Sequence, residues 1–549
     1  MKLRLISLFI VIILLVGCGD RAGSVDVESN MTSENDENSI DTNNTETNSK
    51  NTDNNDTISS TSKDADEEHT PSLKPVTGGT LKIAMKKPET LNPLLNRDDT
   101  VDKVLRLMFE PLFIIDSEMK VTPNIADSYN ILQDGKCVLV KLKSDLKWQD
   151  GTAITANDMI YSLDILKEAQ GDSIYKHCYN NIKNYNKVDN LTVQINYNEG
   201  VGAIAYNLCF PLIPKAYYNG NEQANMKPMG NGFYKFEAYE TAKNMSLTAS
   251  NSFKGTPYIT NIVVNIIPNY ETQLSALNSG VIDAVVVDIN NLGAVKNNIS
   301  DNTGIYSTNL FEYIGLNNNK AIFADLNSRQ AIACLVPFDD IISNIYINKM
   351  TKSITPINPN SPYYGAVGLD NYNKDSNIAN TLILASGFTK ADFSFTILVN
   401  SENAARIESA KLMSQAFNSE GLNTRVEAVS FADYKKRLEE GNFDMFLGGI
   451  KLSDTMNTSF LIGTDGNANY GRYSNPLVDN LINTANIASD DEAYKRAIAE
   501  LNKFISAELP VIGIGFKSEV LATSKRVKGI KQPTLNNVYG NIDKWFISE

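Results

Sequence analysis

Residues 123–166 read PNIADSYNILQDGKCVLVKLKSDLKWQDGTAITANDMIYSLDIL and are the part of the chain that indicates its fold most clearly. Residues 137–142 have the two-residue period of a β-strand. The Asp-Gly pair that follows predicts a turn. Thr155 and Asp158 then have the spacing of a capping box, and the apolar residues after them recur at helical intervals. These patterns predict a strand, a turn and a helix.

The order of residues in this stretch says more than its periodicity. Written as PxIAxSYxxxxDGKxxxxxLKxxLKWxDGTxxTAxDxxYSL, it resembles the signature of the extracellular solute-binding protein family 5. That family comprises oligopeptide-, dipeptide- and nickel-binding lipoproteins that feed ABC importers. Further similarity recurs at residues 230–236, 280–283, 441–445 and 473–476. The resemblance extends from about Gly78 to the C-terminus.

The resemblance implies an α/β fold of the type II periplasmic-binding-protein kind. Two lobes would hinge around a ligand cleft, and an extra domain would be inserted in the first lobe. The chain is expected to cross between the lobes near Leu310 and Pro510. The implied boundaries are 78–115, 214–310 and 508–549 for lobe one, 116–213 for the inserted domain and 311–507 for lobe two.

The N-terminus has the form of a lipoprotein signal peptide. Lys2 and Arg4 precede a short apolar run that ends in Leu-Val-Gly-Cys at Cys18, which resembles a bacterial lipobox. We therefore expect cleavage after residue 17 and lipidation of Cys18, because two or more acyl chains anchor a protein stably. The predicted location is the extracellular face of a bacterial cell membrane, with the protein a monomer.

Residues 18–77 are predicted to form a disordered acidic tether. They carry 14 acidic and 4 basic residues and almost no large apolar side chains, so burial cannot offset the entropy of ordering them. The tether therefore accounts for most of the formal net charge of −14. This charge distribution argues against a nucleic-acid partner, which would need a basic patch.

Cysteine and histidine are scarce. Apart from Cys18, the cysteines lack CxxC spacing. The sequence is compatible with a Cys178–Cys209 disulfide or with free buried thiols, and free thiols are favoured. Two histidines offer little to a multi-histidine metal site or to histidine catalysis. With no GxSxG, HExxH or P-loop motif, we expect no enzyme activity, metal or cofactor. The four cysteines are Cys137, Cys178, Cys209 and Cys334.

The resemblance points to a ligand-binding segment at residues 448–461. Peptide-binding relatives have an aspartate there that pairs with the α-ammonium of the peptide, which is a strong charge-assisted bond. Asp454 is the only acid in this segment, one position from the usual register. Ile450 and Asn457 replace the usual tryptophan and proline. Lys451 is expected to pair with Asp454 or to meet a ligand carboxylate.

Several other residues are expected near the cleft, although packing or surface roles compete for each. A first-lobe loop would face the ligand, and aromatic side chains commonly line such clefts. These candidates are Gly449, Arg97, Asp98, Asp99, Tyr313, Tyr470 and Arg472.

The sequence therefore predicts a lipid-anchored receptor that captures a peptide and hands it to ABC transporter permeases. A binding protein for a metal chelate or another solute is an alternative. The adjacent pair His177-Cys178 is by itself short of a coordination shell. A peptide sensor that is not coupled to import would have the same sequence features.

Overall fold

The computed structural model describes residues 74–295, 304–531 and 533–548. The predicted signal peptide, the lipidation at Cys18 and nearly all of the predicted tether lie outside these residues. Within the described ranges, every helix is too short or too polar to cross a membrane.

The strands are numbered in chain order, and several follow one another with no intervening α-helix. They are β1 (Thr80–Met85), β2 (Phe113–Ile115), β3 (Val121–Pro123), β4 (Ala126–Leu132), β5 (Cys137–Leu142), β6 (Ile182–Lys187), β7 (Thr192–Tyr197), β8 (Tyr234–Glu240), β9 (Asn244–Ala249), β10 (Asn261–Ile266), β11 (Ala284–Asp288), β12 (Gly304–Leu316), β13 (Met350–Lys352), β14 (Ser394–Asn400), β15 (Asn423–Val429), β16 (Met445–Lys451), β17 (Ile512–Thr523), β18 (Val527–Lys528) and β19 (Phe546–Ile547).

The helices are concentrated in the second half of the chain. They are α1 (Asp99–Leu105), α2 (Ala156–Glu168), α3 (Lys215–Tyr218), α4 (Tyr270–Asn278), α5 (Ala321–Ala324), α6 (Leu326–Leu335), α7 (Phe338–Asp340), α8 (Ser376–Ala385), α9 (Ala404–Ser419), α10 (Phe431–Glu440), α11 (Ser459–Ile462), α12 (Pro476–Asn486) and α13 (Asp491–Glu508). Short 3-10 turns include Lys176–Cys178 and Tyr206–Leu208.

Three sheets organise the described chain. Sheet A has the order β1-β10-β9-β8, with β1 parallel to β10, and sheet B is the antiparallel order β4-β5-β7-β6. Sheet C has seven strands in the order β11-β17-β12-β16-β14-β15, with β13 pairing to β17. The term sheet A region is used for β1, α1, β8–β10 and the segment after β17. The sheet B region is residues 116–213, and the sheet C region runs from β12 to α13.

Local sequence signals account for the strand and helix predicted first. β5 buries Val138 and Val140 completely, and α2 begins after Thr155. Thr155 and Asp158 form the predicted capping box, so each satisfies a backbone amide of the other at the helix start. The Asp158 carboxylate also accepts a hydrogen bond from the Lys215 amide at 2.9 Å, which ties sheet B to the chain leaving it.

Element ends differ from the sequence predictions at three places. Apolar residues at helical spacing predict a helix over residues 101–109, but α1 ends at Leu105, after which the backbone tightens into turns. The sequence Leu-Pro-Val-Ile at residues 509–512 resembles the family's C-terminal strand, but β17 begins at Ile512 because Leu509 adopts a left-handed conformation that caps α13. Ser489 and Glu492 have the spacing of a capping box, but the prediction that Ser489 caps α13 is wrong. Asp490 is the N-cap, and its carboxylate reaches the Ala493 amide at 2.7 Å.

The four cysteines within the described ranges are free thiols, and three of them are buried. The preference for thiols over a Cys178–Cys209 bridge is therefore confirmed.

A buried ionic network fixes the centre of sheet C, where β12 lies between β16 and β17. Glu312 of β12 receives two hydrogen bonds from the Arg406 guanidinium, at 2.8 and 2.9 Å. Lys517 of β17 lies 3.8 Å from Glu312 and 3.2 Å from Asp288 at the end of β11. Burial opposes these charges, but their mutual attraction holds the pKa of Glu312 below its usual value and that of Arg406 above it.

Removing one partner should leave a buried charge uncompensated. We expect Arg406→Ala to lower the free energy of unfolding by about 3–5 kcal/mol, because Lys517 would remain as the one cation for two carboxylates. Denaturant unfolding followed by circular dichroism measures this. Lys411→Ala, which breaks an exposed pair with Glu408, is the control and should cost less than ~0.5 kcal/mol. Equal small losses in both variants would contradict the role given to the network.

Candidate functional site

The carboxylate of Asp454 lies where the three sheet regions converge. Asp454 follows β16 in sheet C, and Asn309 of β12 donates a hydrogen bond to it at 2.7 Å. The side chain of Asn536, in the C-terminal segment of the sheet A region, is close enough to favour the charged form of Asp454 and so to lower its pKa. His177 of the sheet B region lies within electrostatic range. Residues from all three sheet regions therefore surround the Asp454 carboxylate.

An irregularity in β12 presents Asn309 to Asp454. The register of β12 against β17 shifts between Ser307 and Phe311. Within this bulge Thr308 donates its hydroxyl to the Lys517 carbonyl oxygen at 2.8 Å. Asn358 donates to the side-chain oxygen of Asn309 at 2.9 Å, which leaves the NH₂ group of Asn309 directed at Asp454. Bulges commonly redirect a side chain in this way.

The basic side chains around Asp454 have carboxylate partners of their own. Lys451 forms an ion pair at 3.1 Å with Asp99 of α1, which joins the sheet C region to the sheet A region. Arg106 donates to Asp102 at 2.7 Å and to the carbonyl oxygen of Asn536. Both cations stabilise the charge on Asp454 at longer range, but neither is its direct partner.

Burial shifts the pKa values of the facing groups in opposite directions. It raises the pKa of the Asp454 carboxyl, and His177, Asn536, Lys451 and Arg106 counteract this only in part. It lowers the pKa of His177, although this residue is partly accessible to solvent, and Asp454 opposes that shift. At neutral pH His177 is therefore neutral, and Asp454 has no imidazolium partner.

His177 and its neighbouring thiols do not form a metal centre. The Nδ1 atom of His177 lies 3.1 Å from the Ile174 carbonyl oxygen, and Nε2 lies 3.4 Å from Cys178 Sγ. Burial raises the pKa of both the Cys178 and the Cys209 thiol. Across the described ranges, no three His, Cys, Asp or Glu side chains are grouped to hold a metal ion.

The candidates at residues 97–99 differ in their distance from Asp454. Asp99 is held near Asp454 by its ion pair with Lys451. Asp98 is the N-cap of α1, where its carboxylate accepts hydrogen bonds from the amides of Thr100 and Val101. Arg97 points away to Glu89 and to Asp172, 3.4 Å from it in the sheet B region.

The candidates close to Asp454 in the sequence mainly have packing or backbone roles in the sheet C region. Ile450 is buried in an apolar cluster, and Asn457 accepts a hydrogen bond from the Ser459 amide at the start of α11. Gly449 lies against the buried network, where a Cβ atom would overlap Nη2 of Arg406. Glycine is therefore required there by packing.

The remaining three candidates do not reach Asp454 through any contact that we observe. Tyr313 is 3% exposed, and its ring stacks on Phe311. Tyr470 packs edge-on against Phe446. Arg472 is exposed and donates to the Glu439 carbonyl oxygen at 3.0 Å.

Sequence reasoning missed most of the partners of Asp454. Asn309, Arg106, His177 and Asn536 come from four separate segments, and no local motif marks them. The expected chain crossing near Leu310 was the one usable signal, because residues at such a crossing lie beside the cleft.

Comparison with known proteins identifies the class. The profile of the bacterial extracellular solute-binding proteins, family 5, matches residues 120–472, more than half of the chain. The chain belongs to this family. Its members bind solutes for ABC importers and are not enzymes.

Individual relatives agree with this assignment. The oligopeptide-binding protein AppA of Bacillus subtilis is 23% identical over 509 residues, covering 87% of this chain and 93% of AppA. The substrate-binding protein CtaP of Listeria monocytogenes has a TM-score of 0.75 at 23% identity, over 86% of this chain and all of CtaP. NikZ of Campylobacter jejuni, solved with Ni(L-His), has a TM-score of 0.66 at 23% identity, over 85% and 99%. These structures confirm the periplasmic-binding-protein fold.

Nuclear magnetic resonance can test the electrostatics of the site. We expect the imidazole of His177 to titrate below 6.5, and Asp454→Asn to lower its pKa further, because the Asp454 charge favours the imidazolium. The chain has only one other histidine, His69, which serves as the internal reference. A His177 pKa at or above 6.5, or one that Asp454→Asn leaves unchanged, would contradict the geometry.

Proposed function

We propose that this protein is a lipid-anchored extracellular receptor that captures peptides through their terminal ammonium and delivers them to an ABC importer. The observation that carries the proposal is the Asp454 carboxylate. It lies at the meeting of three sheet regions, and the contacts that we observe to it are from amides rather than from cations.

Charge pairing favours a cationic group on the ligand. Arg106 pairs with Asp102 and Lys451 pairs with Asp99, so these charges are already matched. Among the described residues, Asp454 has no cationic side chain as its direct partner, because His177 is neutral. A half-buried carboxylate of this kind gains from a charged donor, and an ammonium supplies three N–H donors.

Similarity supports a peptide as the bearer of that ammonium. The relative AppA is named an oligopeptide-binding protein, and it has been solved in complex with a nonapeptide. On this proposal Asp454 binds the terminal ammonium, while Lys451 and Asp99 line the cleft beside it.

The proposed lobes do not each hold a separate sheet, because β11 and β17 lie in the predicted first lobe but pair within sheet C. The sheet A strands β1 and β8–β10 fall in the predicted first lobe, and sheet B falls in the predicted insertion. Strands β12 and β17 would connect the lobes, so ligand binding should close the cleft. A smaller radius of gyration with peptide than without it, by small-angle X-ray scattering, would agree. An unchanged radius would not.

Asp454→Asn tests the proposed ligand contact. The substitution keeps the shape and the hydrogen bond from Asn309 but removes the charge, so peptide affinity should fall by about 30-fold or more. Native mass spectrometry of the protein from a peptide-rich host, followed by calorimetry with a recovered peptide, measures this.

The exposed acid Asp465 provides the matched control, and Asp465→Asn should bind as the unmodified protein does. Peptides retained by Asp454→Asn would place the ammonium elsewhere. A bound metal chelate or sugar in place of peptide would contradict the peptide proposal.

Lipid anchoring is tested at Cys18. The protein should incorporate tritiated palmitate in its bacterial host, and Cys18→Ser should abolish the label because the serine hydroxyl cannot replace the thiol. Equal labelling of the two proteins would contradict the anchor.

A further inference from the structure

The sheet B region contacts the sheet C region through backbone atoms. The segment after β7 reaches the turn between α12 and α13, where the Gly202 amide donates to the Asn486 carbonyl oxygen at 2.9 Å. A Cβ atom on Gly202 would overlap the Ala485 carbonyl oxygen, and one on Gly200 would lie 2.8 Å from the Ile487 carbonyl oxygen. Only glycine allows this approach.

Three buried tyrosine rings continue the contact. Tyr206 of the sheet B region lies 5.9 Å from the ring of Tyr363, which lies 4.9 Å from the ring of Tyr494 on α13. Each side chain is 4% exposed or less. Tyr206, Met119 and Ala203 belong to the same apolar cluster as the sheet C core, so this core extends into the sheet B region.

The tyrosine hydroxyls connect the contact to the binding segment. Tyr206 donates to the Met119 carbonyl oxygen within the sheet B region, and Tyr363 donates to the Asp491 carboxylate. Tyr494 donates to the carbonyl oxygen of Thr455, the residue next to Asp454. The segment that carries Asp454 is thus attached to the contact.

We propose that Gly200, Gly202, Tyr206, Tyr363 and Tyr494 form a latch that closes the cleft. The latch links the two regions on either side of Asp454 but does not itself bind the ligand. It would strengthen ligand retention by increasing the fraction of closed protein, since apparent affinity scales with the competent fraction. This inference rests on the proposed function, because closure has its effect through a ligand at Asp454.

Hydrogen–deuterium exchange tests the latch without reference to the ligand. Gly202→Ala should accelerate exchange at residues 199–209 and at residues 484–491, the unaltered partner segment across the contact. Amides of β5 should stay protected, which shows that sheet B remains folded. Gly171→Ala is the control, since a Cβ atom there would meet no described atom within 4 Å, and it should change neither segment.

Peptide release supplies the second readout. Dissociation of a tri-alanine peptide labelled at its carboxyl end should be about 10-fold faster from Gly202→Ala than from the control, the size of effect expected for losing a buried aromatic contact. Unchanged exchange at 484–491, or faster exchange without faster release, would overturn the latch. Failure of the unmodified protein to bind the peptide would instead count against the proposed function, and the exchange result would still decide whether the contact forms.

Discussion

The pairing of β12 with β17 holds sheet C in a single arrangement, and the candidate site is built on that arrangement. These two strands carry the chain through the centre of sheet C, and their register is irregular at residues 307–313. The buried charges of Glu312, Arg406 and Lys517 fix that irregularity, because displacing either strand would separate ions that have no access to water. The candidate segment that starts at β16 lies directly beside this network, since Gly449 packs against Arg406 and Glu312, so its backbone is fixed as well.

The same irregularity creates the candidate site. Asn309 occupies the bulge, accepts a backbone hydrogen bond from Leu452 at 2.9 Å and donates its side chain to Asp454 at 2.7 Å. The bond from Leu452 continues the regular pairing of β12 with β16, so Asn309 is held beside the segment that carries Asp454. The carboxylate is thus oriented by a rigid element, while its electrostatic environment comes from α1, the turn at His177 and the C-terminal segment. Such an arrangement changes when the regions separate, which is the behaviour required of a receptor that binds and then releases its solute.

Features that depend on neighbouring residues were predictable from the sequence, whereas contacts between residues far apart in the sequence were not. The strand at 137–142 and the capping box at Thr155 depend on neighbouring residues, and both occur as predicted. Asp454 could be proposed because a family resemblance placed it near a known register. Its partner Asn309 lies 145 residues away and is positioned by a bulge that has no sequence signature. The error at Ser489 has a local origin, since two adjacent residues can each cap a helix and the carboxylate of Asp490 does so here.

The proposed role of Asp454 is to bind a cationic end of the ligand at the meeting of three regions. A crystal structure of the protein with a bound tripeptide would decide whether it has this role. We expect the terminal nitrogen of the peptide to lie within about 3.2 Å of an Asp454 carboxylate oxygen, with Asn309 still donating to that carboxylate. A peptide whose terminal nitrogen lies against other residues, with only amides on Asp454, would contradict this role.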